Sequence, residues 1–251
     1  MYFNLIYKIS RILERVCAMA QGKGYGSASI HKEIAVVRKF INFERKYELL
    51  IDVGANVGNY TYHLRKFYKN AEIHLFEPSS FNIKKLQQRF ENDPLIYINP
   101  TGISRSDETL PLYSNELGNG CASLSKRRTD HLNLRFRKIE KVNVIRFEKY
   151  WINKLKRKKI TLAKLDIEGH ELDALQGFGS AIQATKLIQF EFGGCNLDTH
   201  TTFQDFYYFF KDHKFEIFRI GPFGAEKITQ YREIDESYLT TNFLARNTMV
   251  L

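Results

Sequence analysis

The pattern of apolar and polar positions predicts a helical segment at the start of the chain. Its apolar residues recur at steps of three and four positions, namely Leu5, Ile6, Ile9, Ile12, Leu13 and Val16. This spacing predicts an amphipathic helix over residues 2–19. Lys8, Arg11 and Arg15 lie off its apolar stripe. A glycine-rich loop separates it from a second predicted helix over residues 31–43.

A different pattern starts near residue 48, where short apolar runs alternate with helical periodicity. The predicted strands are 49–53, 73–77, 96–99, 162–167, 187–192, 215–220 and 242–246. The predicted helices are 59–68, 81–90, 171–177 and 203–212. Strands that alternate with helices are typical of βαβ units, so the sequence predicts an α/β fold with a mostly parallel sheet.

Two segments stand apart from this α/β unit. Residues 1–47 are predicted to form an N-terminal helical extension to a domain over 48–251. Two interpretations of the extension remain open: it packs on the core or on a second subunit of a homo-oligomer, or its basic helix attaches to a membrane surface. Residues 104–150 interrupt the strand–helix rhythm, and an insertion at this place is where a substrate lid could form.

Composition narrows the class of protein. Of 251 residues, 43% are hydrophobic and 26% charged, which excludes a disordered chain and a membrane bundle. The three cysteines have no metal-ligand spacing and favour a reducing cytoplasm. No stretch approaches the roughly 18 apolar residues of a membrane span, so none is expected. The net charge of +10 suggests an anionic partner such as nucleic acid, a phospholipid surface or a phosphorylated glycan.

The end of the first predicted strand carries the features of a cofactor loop. The strand runs through Asp52 into Gly54, Ala55, Asn56 and Gly58, and a helix follows. A dinucleotide site has a G-x-G-x-x-G pattern, whose middle glycine lets the backbone approach a pyrophosphate. Asn56 takes that middle place, so the loop is shaped for a ligand without a pyrophosphate. Asp52 adds a carboxylate that attracts a cation.

A second feature points to the same ligand. Glu77 ends the second predicted strand, 19 residues after Gly58, where a carboxylate can accept hydrogen bonds from both ribose hydroxyls. S-adenosylmethionine carries a ribose, a sulfonium and an ammonium but no phosphate. Both features therefore predict it as the cofactor.

With these motifs the sequence resembles the FkbM family of class I S-adenosylmethionine-dependent methyltransferases. The matching segments are 51–58, 76–78, the Gly118-Asn-Gly120 turn with Ser123-Leu124, 163–171 and 189–191. The resemblance implies a Rossmann-like, seven-stranded sheet with one antiparallel strand and helices on both faces. It also implies a cofactor at the carboxyl ends of strands one to four, and O-methylation of sugar or other secondary-metabolite hydroxyls.

The resemblance also extends the cofactor site beyond the glycine loop. Pro78 follows Glu77 in the matching segment, and Asp166 lies in the 163–171 run. The third strand leads into residues 100–104 without an acidic residue to hold the adenine amine. Backbone groups around Gly102 and Ile103 are therefore expected to hold it.

Three carboxylates are expected at the ends of the fourth and fifth strands. Asp166 and Glu168 alternate along the fourth strand, and Glu191 ends the fifth. Such a cluster could orient an acceptor hydroxyl, accept its proton, or hold a divalent cation through Asp166 and Glu191. Lys164 could equally neutralise these carboxylates. His170, at a helix start, is a further catalytic candidate, although a lone histidine is more often structural.

The sequence therefore predicts a cytoplasmic O-methyltransferase, with membrane association left open. Its acceptor would be a sugar or glycan, anionic or lipid-linked, used in surface glycan or glycolipid synthesis. The basic insertion residues 126–128 and 135–138 are the candidates for gripping it. Alternatives are a non-sugar metabolite hydroxyl, a membrane-docked protein without catalysis, and a nucleic acid. The last is disfavoured because no Asn/Asp-Pro-Pro-Tyr/Phe motif follows the fourth strand.

Overall fold

The computed structural model describes residues 2–27, 30–41, 48–116, 118, 120–132 and 135–250. The helices are α1 (Tyr2–Ala20), α2 (Ile30–Phe40), α3 (Asn59–Arg65), α4 (Ser80–Phe90), α5 (Phe147–Asn153), α6 (Glu171–Phe178), α7 (Cys195–Thr199) and α8 (Phe203–Asp212). The strands are β1 (Leu49–Val53), β2 (Glu72–Phe76), β3 (Ile96–Asn99), β4 (Gly102–Ile103), β5 (Glu108–Ser114), β6 (Lys138–Ile145), β7 (Ile160–Leu165), β8 (Thr185–Phe192), β9 (Phe215–Gly221), β10 (Gly224–Ile228) and β11 (Thr241–Asn247).

The predicted α/β class is confirmed, with one difference in strand number. Within the described residues the central sheet has eight strands, in the order β10-β9-β11-β8-β7-β1-β2-β3, rather than seven. β8, β7, β1, β2 and β3 are parallel, while β11 is antiparallel to both of its neighbours. The eighth strand is β10, which pairs with β9 as an antiparallel hairpin. Because β10 lies at the sheet edge and buries no residue fully, its sequence shows no apolar alternation.

Two apolar clusters cover the two faces of the sheet. One packs α5, α6 and α8 against it, and the other packs α2, α3 and α4. Since all parallel strands end at the same edge, the segments that follow β1, β2 and β7 lie together there. That edge is where ligands bind in open α/β sheets.

The N-terminal segment divides into a packed helix and an exposed one. α2 buries Ile34 and Val37 completely in the cluster beneath the sheet. α1 starts and ends close to the predicted boundaries, but its large apolar side chains from Leu5 to Met19 are all exposed. Packing on the core therefore holds for α2 and not for α1. The last residues of the predicted second helix, from 42 on, lie outside the described residues.

The insertion forms a small sheet of its own. β4, β6 and β5 pair side by side in that order. α5 then returns the chain to the main sheet, where Phe147 and Trp151 enter the core.

Glu33 of α2 gives a testable pH dependence of stability. Its buried carboxylate accepts a hydrogen bond from Gln189 Nε2 at 3.0 Å, and Gln189 Oε1 accepts one from the Tyr60 hydroxyl at 2.6 Å. Burial raises the pKa of Glu33 from 4.5 to about 7, although Lys164 opposes the rise. The folded protein therefore retains this proton at pH values where the unfolded chain has released it, and stability falls as pH rises from 4.5 to about 7.

Glu33→Gln should remove that loss, because the neutral amide keeps the acceptor for Gln189. Between about pH 5 and pH 7.5 the variant should gain about 2 to 3 kcal/mol relative to wild type, measured by urea unfolding. Glu14→Gln, on exposed α1, is the matched control and should track wild type. A Glu33→Gln curve parallel to wild type at all pH values would contradict the expectation.

Candidate active site

A cavity opens at the carboxyl ends of β1, β2 and β7. It holds about 560 Å³ of empty space, open solvent included, which lies within the range of small-molecule sites. The sequence-predicted residues that line it are Gly54, Asn56, Glu77, Pro78, Gly102, Ile103, Asp166 and Glu168. Those not predicted are Val53, Phe76, Asn82, Leu112, Gly120, Ala122, Leu124 and Ile167. Several of these come from the insertion, which therefore forms one wall of the cavity.

The glycine loop that follows β1 is hydrogen-bonded to the end of β2. The backbone N–H groups of Gly54 and Ala55 donate to the Phe76 carbonyl at 2.9 and 3.2 Å. Asn56 adopts a left-handed conformation with φ 49°, which asparagine tolerates well, and its N–H donates to Glu77 Oε2 at 2.8 Å. The loop and Glu77 are thus a single hydrogen-bonded unit.

Glu77 is buried and already holds backbone groups. Besides Asn56, the Ser79 N–H donates to its Oε1 at 2.9 Å. Burial raises the pKa of Glu77, and these hydrogen bonds oppose the rise. An ionised carboxylate has about four acceptor positions. Oε1 also accepts from Asn82 Nδ2, so one position, on Oε2, remains for a ribose hydroxyl.

Asn82 of α4 offers an acceptor that the sequence did not indicate. Its Oδ1 is buried and has no hydrogen-bond partner among the described residues, whereas its Nδ2 donates to Glu77 Oε1 at 3.4 Å. An unpaired buried acceptor costs about 1–3 kcal/mol. A ribose hydroxyl or the adenine amine would satisfy it, so the cavity fits the adenosyl part of S-adenosylmethionine. The predicted backbone groups near Ile103 also line the cavity, where β4 pairs with β6.

Three predicted cofactor residues lie behind the cavity rather than in its lining: Asp52, Ala55 and Gly58. The buried Asp52 carboxylate accepts a hydrogen bond from Thr61 Oγ1 at 2.6 Å and lies 3.7 Å from Lys164 Nζ. Lys164 also lies 3.1 Å from Asp166 Oδ2, and the two carboxylates raise its pKa against the effect of burial. Among the described residues, the cation beside Asp52 is therefore this lysine, which pairs with Asp52 and Asp166.

Glu168 follows β7 and reaches the cavity from a strained turn. Its backbone has φ 56°, a left-handed conformation that is costly for a glutamate and is found mainly where function requires it. Arg127 Nη1 and Cys195 Sγ each lie 2.8 Å from Glu168 Oε2. Burial raises the pKa of Glu168, whereas the Cys195 hydrogen bond and the Arg127 charge limit the rise.

Arg127 corrects one expectation about the basic insertion. The sequence assigned residues 126–128 to gripping the acceptor, but the Arg127 side chain is buried against Glu168 and Asp198, the latter at 3.4 Å. Ser123 Oγ adds a hydrogen bond to the Glu168 carbonyl at 2.9 Å. This part of the insertion is therefore tied to the turn after β7. Residue 119 of the predicted Gly118-Asn-Gly120 turn lies outside the described residues.

Glu191 and His170 are near this turn but do not line the cavity. Burial, with the charges of Asp166 and Glu168, holds the pKa of Glu191 well above its usual value. The His170 ring contacts Asp173 Oδ2 at 3.1 Å through Nδ1 and Ser125 Oγ at 3.0 Å through Nε2. Within the described part of the chain, no three His, Cys, Asp or Glu side chains form a group that could hold a metal ion.

Glu171 has a structural role that its motif did not indicate. Its buried carboxylate accepts hydrogen bonds from the N–H groups of Ile167 at 2.8 Å and Gly169 at 3.1 Å. It thereby shapes the turn that presents Glu168. Burial raises the pKa of Glu171 to about 8.

Replacing Glu77 by glutamine should weaken cofactor binding. The glutamine amide group would place a donor opposite the N–H of Asn56 or Ser79, and it would remove the negative charge that faces the ribose. Calorimetry should therefore show an affinity for S-adenosylmethionine that is about 10- to 100-fold lower. Turnover at saturating cofactor should change little. Glu91→Gln, an exposed acid that caps α4, is the control. Equal affinities for wild type and Glu77→Gln would refute the assignment.

Three known proteins are similar to this chain, one in sequence and two in structure. "Methyltransferase 1" of Beauveria bassiana (strain ARSEF 2860) is 22% identical over 175 residues, 61% of this chain and 70% of its own length. Among solved structures, an rRNA methylase from Streptococcus thermophilus gives a TM-score of 0.45 at 10% identity, covering 87% of this chain and 95% of its own. A Streptococcus mutans protein in complex with SAH gives 0.47 at 11% identity, covering 86% and 96%.

The family match spans most of the chain. The family described as "Methyltransferase FkbM domain" matches residues 52–217, from Asp52 in β1 to β9. That range contains every residue that lines the cavity, from Val53 to Glu168. The chain therefore belongs to the FkbM methyltransferases, which use S-adenosylmethionine as the methyl donor.

Proposed function

We propose that this enzyme methylates a hydroxyl group of a sugar, during the synthesis of a surface glycan or glycolipid. The observation that carries the proposal is Glu168, a carboxylate that lines the cofactor cavity and whose pKa burial raises. A hydroxyl becomes a good nucleophile for methyl transfer only when its proton is removed. A base with a pKa nearer to neutrality than an ordinary carboxylate suits that task.

The other carboxylates and the histidine suit this role less well. Asp166 and Glu168 are both ion-paired, to Lys164 at 3.1 Å and to Arg127 at 2.8 Å, but burial raises the pKa of Glu168 above that of an ordinary carboxylate. Glu191 does not line the cavity, and burial, with the charges of Asp166 and Glu168, raises its pKa. Both ring nitrogens of His170 have partners, Asp173 and Ser125. Glu168 remains as the general base.

Bound S-adenosylmethionine supplies an electrophilic methyl group and becomes S-adenosylhomocysteine. The chain's part is to align the acceptor oxygen and take its proton: the acceptor O–H proton passes to Glu168 while Arg127 keeps that carboxylate in place. Alignment can supply roughly 7–11 kcal/mol of the barrier, and general-base help about a hundredfold to ten-thousandfold in rate.

The test is transfer of labelled methyl groups to a panel of free, nucleotide-linked and lipid-linked sugars. Labelled sugar ethers are the expected product. Label in a non-sugar hydroxyl alone would replace the sugar with another metabolite, and label in RNA alone would overturn the proposal.

A further inference from the structure

α1 presents its apolar side chains away from the protein. The large apolar residues of its stripe are 47 to 66% exposed: Leu5, Ile6, Ile9, Ile12, Leu13, Val16 and Met19. On a helical projection they cover an arc of roughly 140°. Arg11, Glu14 and Arg15 line a groove shared with Glu233 and Glu236 of the protein body. Met19, at the end of the stripe, lines it too, whereas the stripe residues from 5 to 16 do not. A helix that packs on its own protein would turn the opposite side inward.

The segment that follows α1 fixes its C-terminal end at a defined place on the fold. The Gly24 N–H donates to Thr241 Oγ1 at 3.0 Å, and Lys23 Nζ donates to the Ile234 carbonyl at 2.8 Å. Thr241 begins β11 and pairs with Phe192, the last residue of β8. The C-terminal end of α1 therefore lies at the edge of the sheet where the parallel strands end. The cofactor cavity opens at the same edge.

A second exposed apolar group lies beside this attachment. Phe223, in the turn of the β9–β10 hairpin, is 89% exposed. It lines a concavity together with Ala20 and Gln21 at the end of α1. Because β9 runs parallel to β8, this turn lies at the same edge of the sheet. An apolar helix and an apolar turn thus share one side of the molecule.

We infer that α1 and Phe223 dock this edge of the enzyme on an anionic lipid bilayer. Lys8, Arg11 and Arg15 give the polar side of α1 three cations against the single acid Glu14, and the chain carries a net charge of +10. A broad apolar arc bordered by cations is typical of helices that lie in a membrane interface. Lysine and arginine side chains at its border reach lipid phosphates while the apolar residues enter the acyl region.

A coiled-coil contact with a second copy fits α1 less well. The helix has 19 residues, fewer than three heptads. A two-stranded seam buries two positions per heptad, so Ile6 and Leu13 would remain in water. Lys8 and Arg15 would flank that seam without acidic residues of α1 opposite them. Among the described residues, no helix is long and apolar enough to cross a membrane, so α1 would lie on the bilayer rather than span it.

Docking at this edge brings the cavity close to the bilayer surface. The acceptor that suits such a geometry is a sugar carried on a membrane lipid. This second part of the inference rests on the proposed sugar methylation, whereas the docking itself does not.

Vesicle cosedimentation of the full chain tests the docking. Wild type should bind phosphatidylcholine vesicles that contain phosphatidylglycerol, and binding should weaken by at least tenfold in Ile9→Glu. Ser10→Glu is the matched control, since it adds the same charge one residue away and off the apolar stripe, and it should retain most of the binding. The triple variant Lys8→Gln, Arg11→Gln, Arg15→Gln should lose about a hundredfold on the anionic vesicles, at about fivefold per cation.

Several outcomes would overturn the docking. One is wild type that does not bind the vesicles, and another is equal binding by Ile9→Glu and Ser10→Glu. A third is wild type that forms a dimer and does not bind vesicles, together with an Ile9→Glu variant that is a monomer. That result would assign α1 to self-association instead. Because these side chains are exposed, thermal unfolding should be the same in all variants.

Activity measurements separate the docking from the proposed function. Methyl transfer to a soluble sugar acceptor should be equal in wild type and Ile9→Glu, while kcat/KM for a lipid-borne sugar in vesicles should fall at least tenfold in the variant. Equal values in vesicles would overturn the lipid-borne acceptor. Vesicle binding without transfer to any sugar would refute the proposed function and leave the docking intact.

Discussion

Gly54→Ala is expected to destabilise the protein by several kcal/mol and to abolish uptake of S-adenosylmethionine. A Cβ at this position would lie 2.0 Å from the Asp166 carbonyl oxygen, and the backbone there has φ 80°. The Cβ is attached to the backbone of β1's loop and would meet the backbone carbonyl that follows β7. Neither can move aside without separating β1 from β7. The cost combines a steric clash with a conformation that alanine rarely adopts.

Gly224→Ala separates these two causes. Gly224 has φ 122°, but a Cβ there would meet nothing within 4 Å, so this variant has the conformational penalty alone. Thermal unfolding should show a modest loss, of about 1–3 kcal/mol, for Gly224→Ala and a much larger one for Gly54→Ala. Similar melting temperatures for the two variants would mean that the loop yields and that the close approach of β1 and β7 is unimportant.

Glu168→Gln is expected to lower kcat by about a hundredfold to ten-thousandfold, the usual contribution of a general base. The amide keeps the shape of the side chain but cannot accept the acceptor's proton. Calorimetry should show S-adenosylmethionine affinity within a few-fold of wild type, because Glu77 and the glycine loop hold the cofactor. Glu91→Gln, exposed at the end of α4, should retain wild-type turnover. Undiminished kcat in Glu168→Gln would rule out this base.

The pH profile gives a second test that a purely structural role would not satisfy. Turnover should rise with pH as Glu168 loses its proton. The Arg127 charge limits the rise in the pKa of Glu168, so Arg127→Gln should raise that pKa further. The acidic limb of the kcat profile should therefore move to higher pH. An unmoved limb with lower turnover would make Arg127 and Glu168 structural partners only.

Most of the main sheet could be predicted because its strands are buried and its helices amphipathic. The strand 49–53 and the helix 203–212 match the structure at both ends, since an apolar run and a capping Thr202 mark them locally. β10 could not be predicted, because an exposed edge strand needs no apolar pattern. α7 was missed as well, because five residues are too short for a helical period to show.

In the candidate site, too, some features could be predicted from the sequence and others could not. Gly54, Asn56, Glu77 and the Asp166–Glu168 turn could be identified from the sequence, because the ends of parallel strands share one edge of a sheet. Asp52 is different: the sequence places it beside the cofactor, but the alternation of side chains in β1 turns it toward Thr61 and Lys164.

The α/β class, the cofactor loop and the family follow from the sequence alone, because they depend on local periodicity and on short motifs. What each charged side chain does depends on the tertiary contacts that it makes. Arg127 is far from Glu168 in the chain yet forms its ion pair, and Asn82 becomes an unpaired acceptor only where α4 meets the cavity. The exposure of α1 is also a tertiary fact, since an amphipathic pattern fixes which side is apolar but not what that side faces.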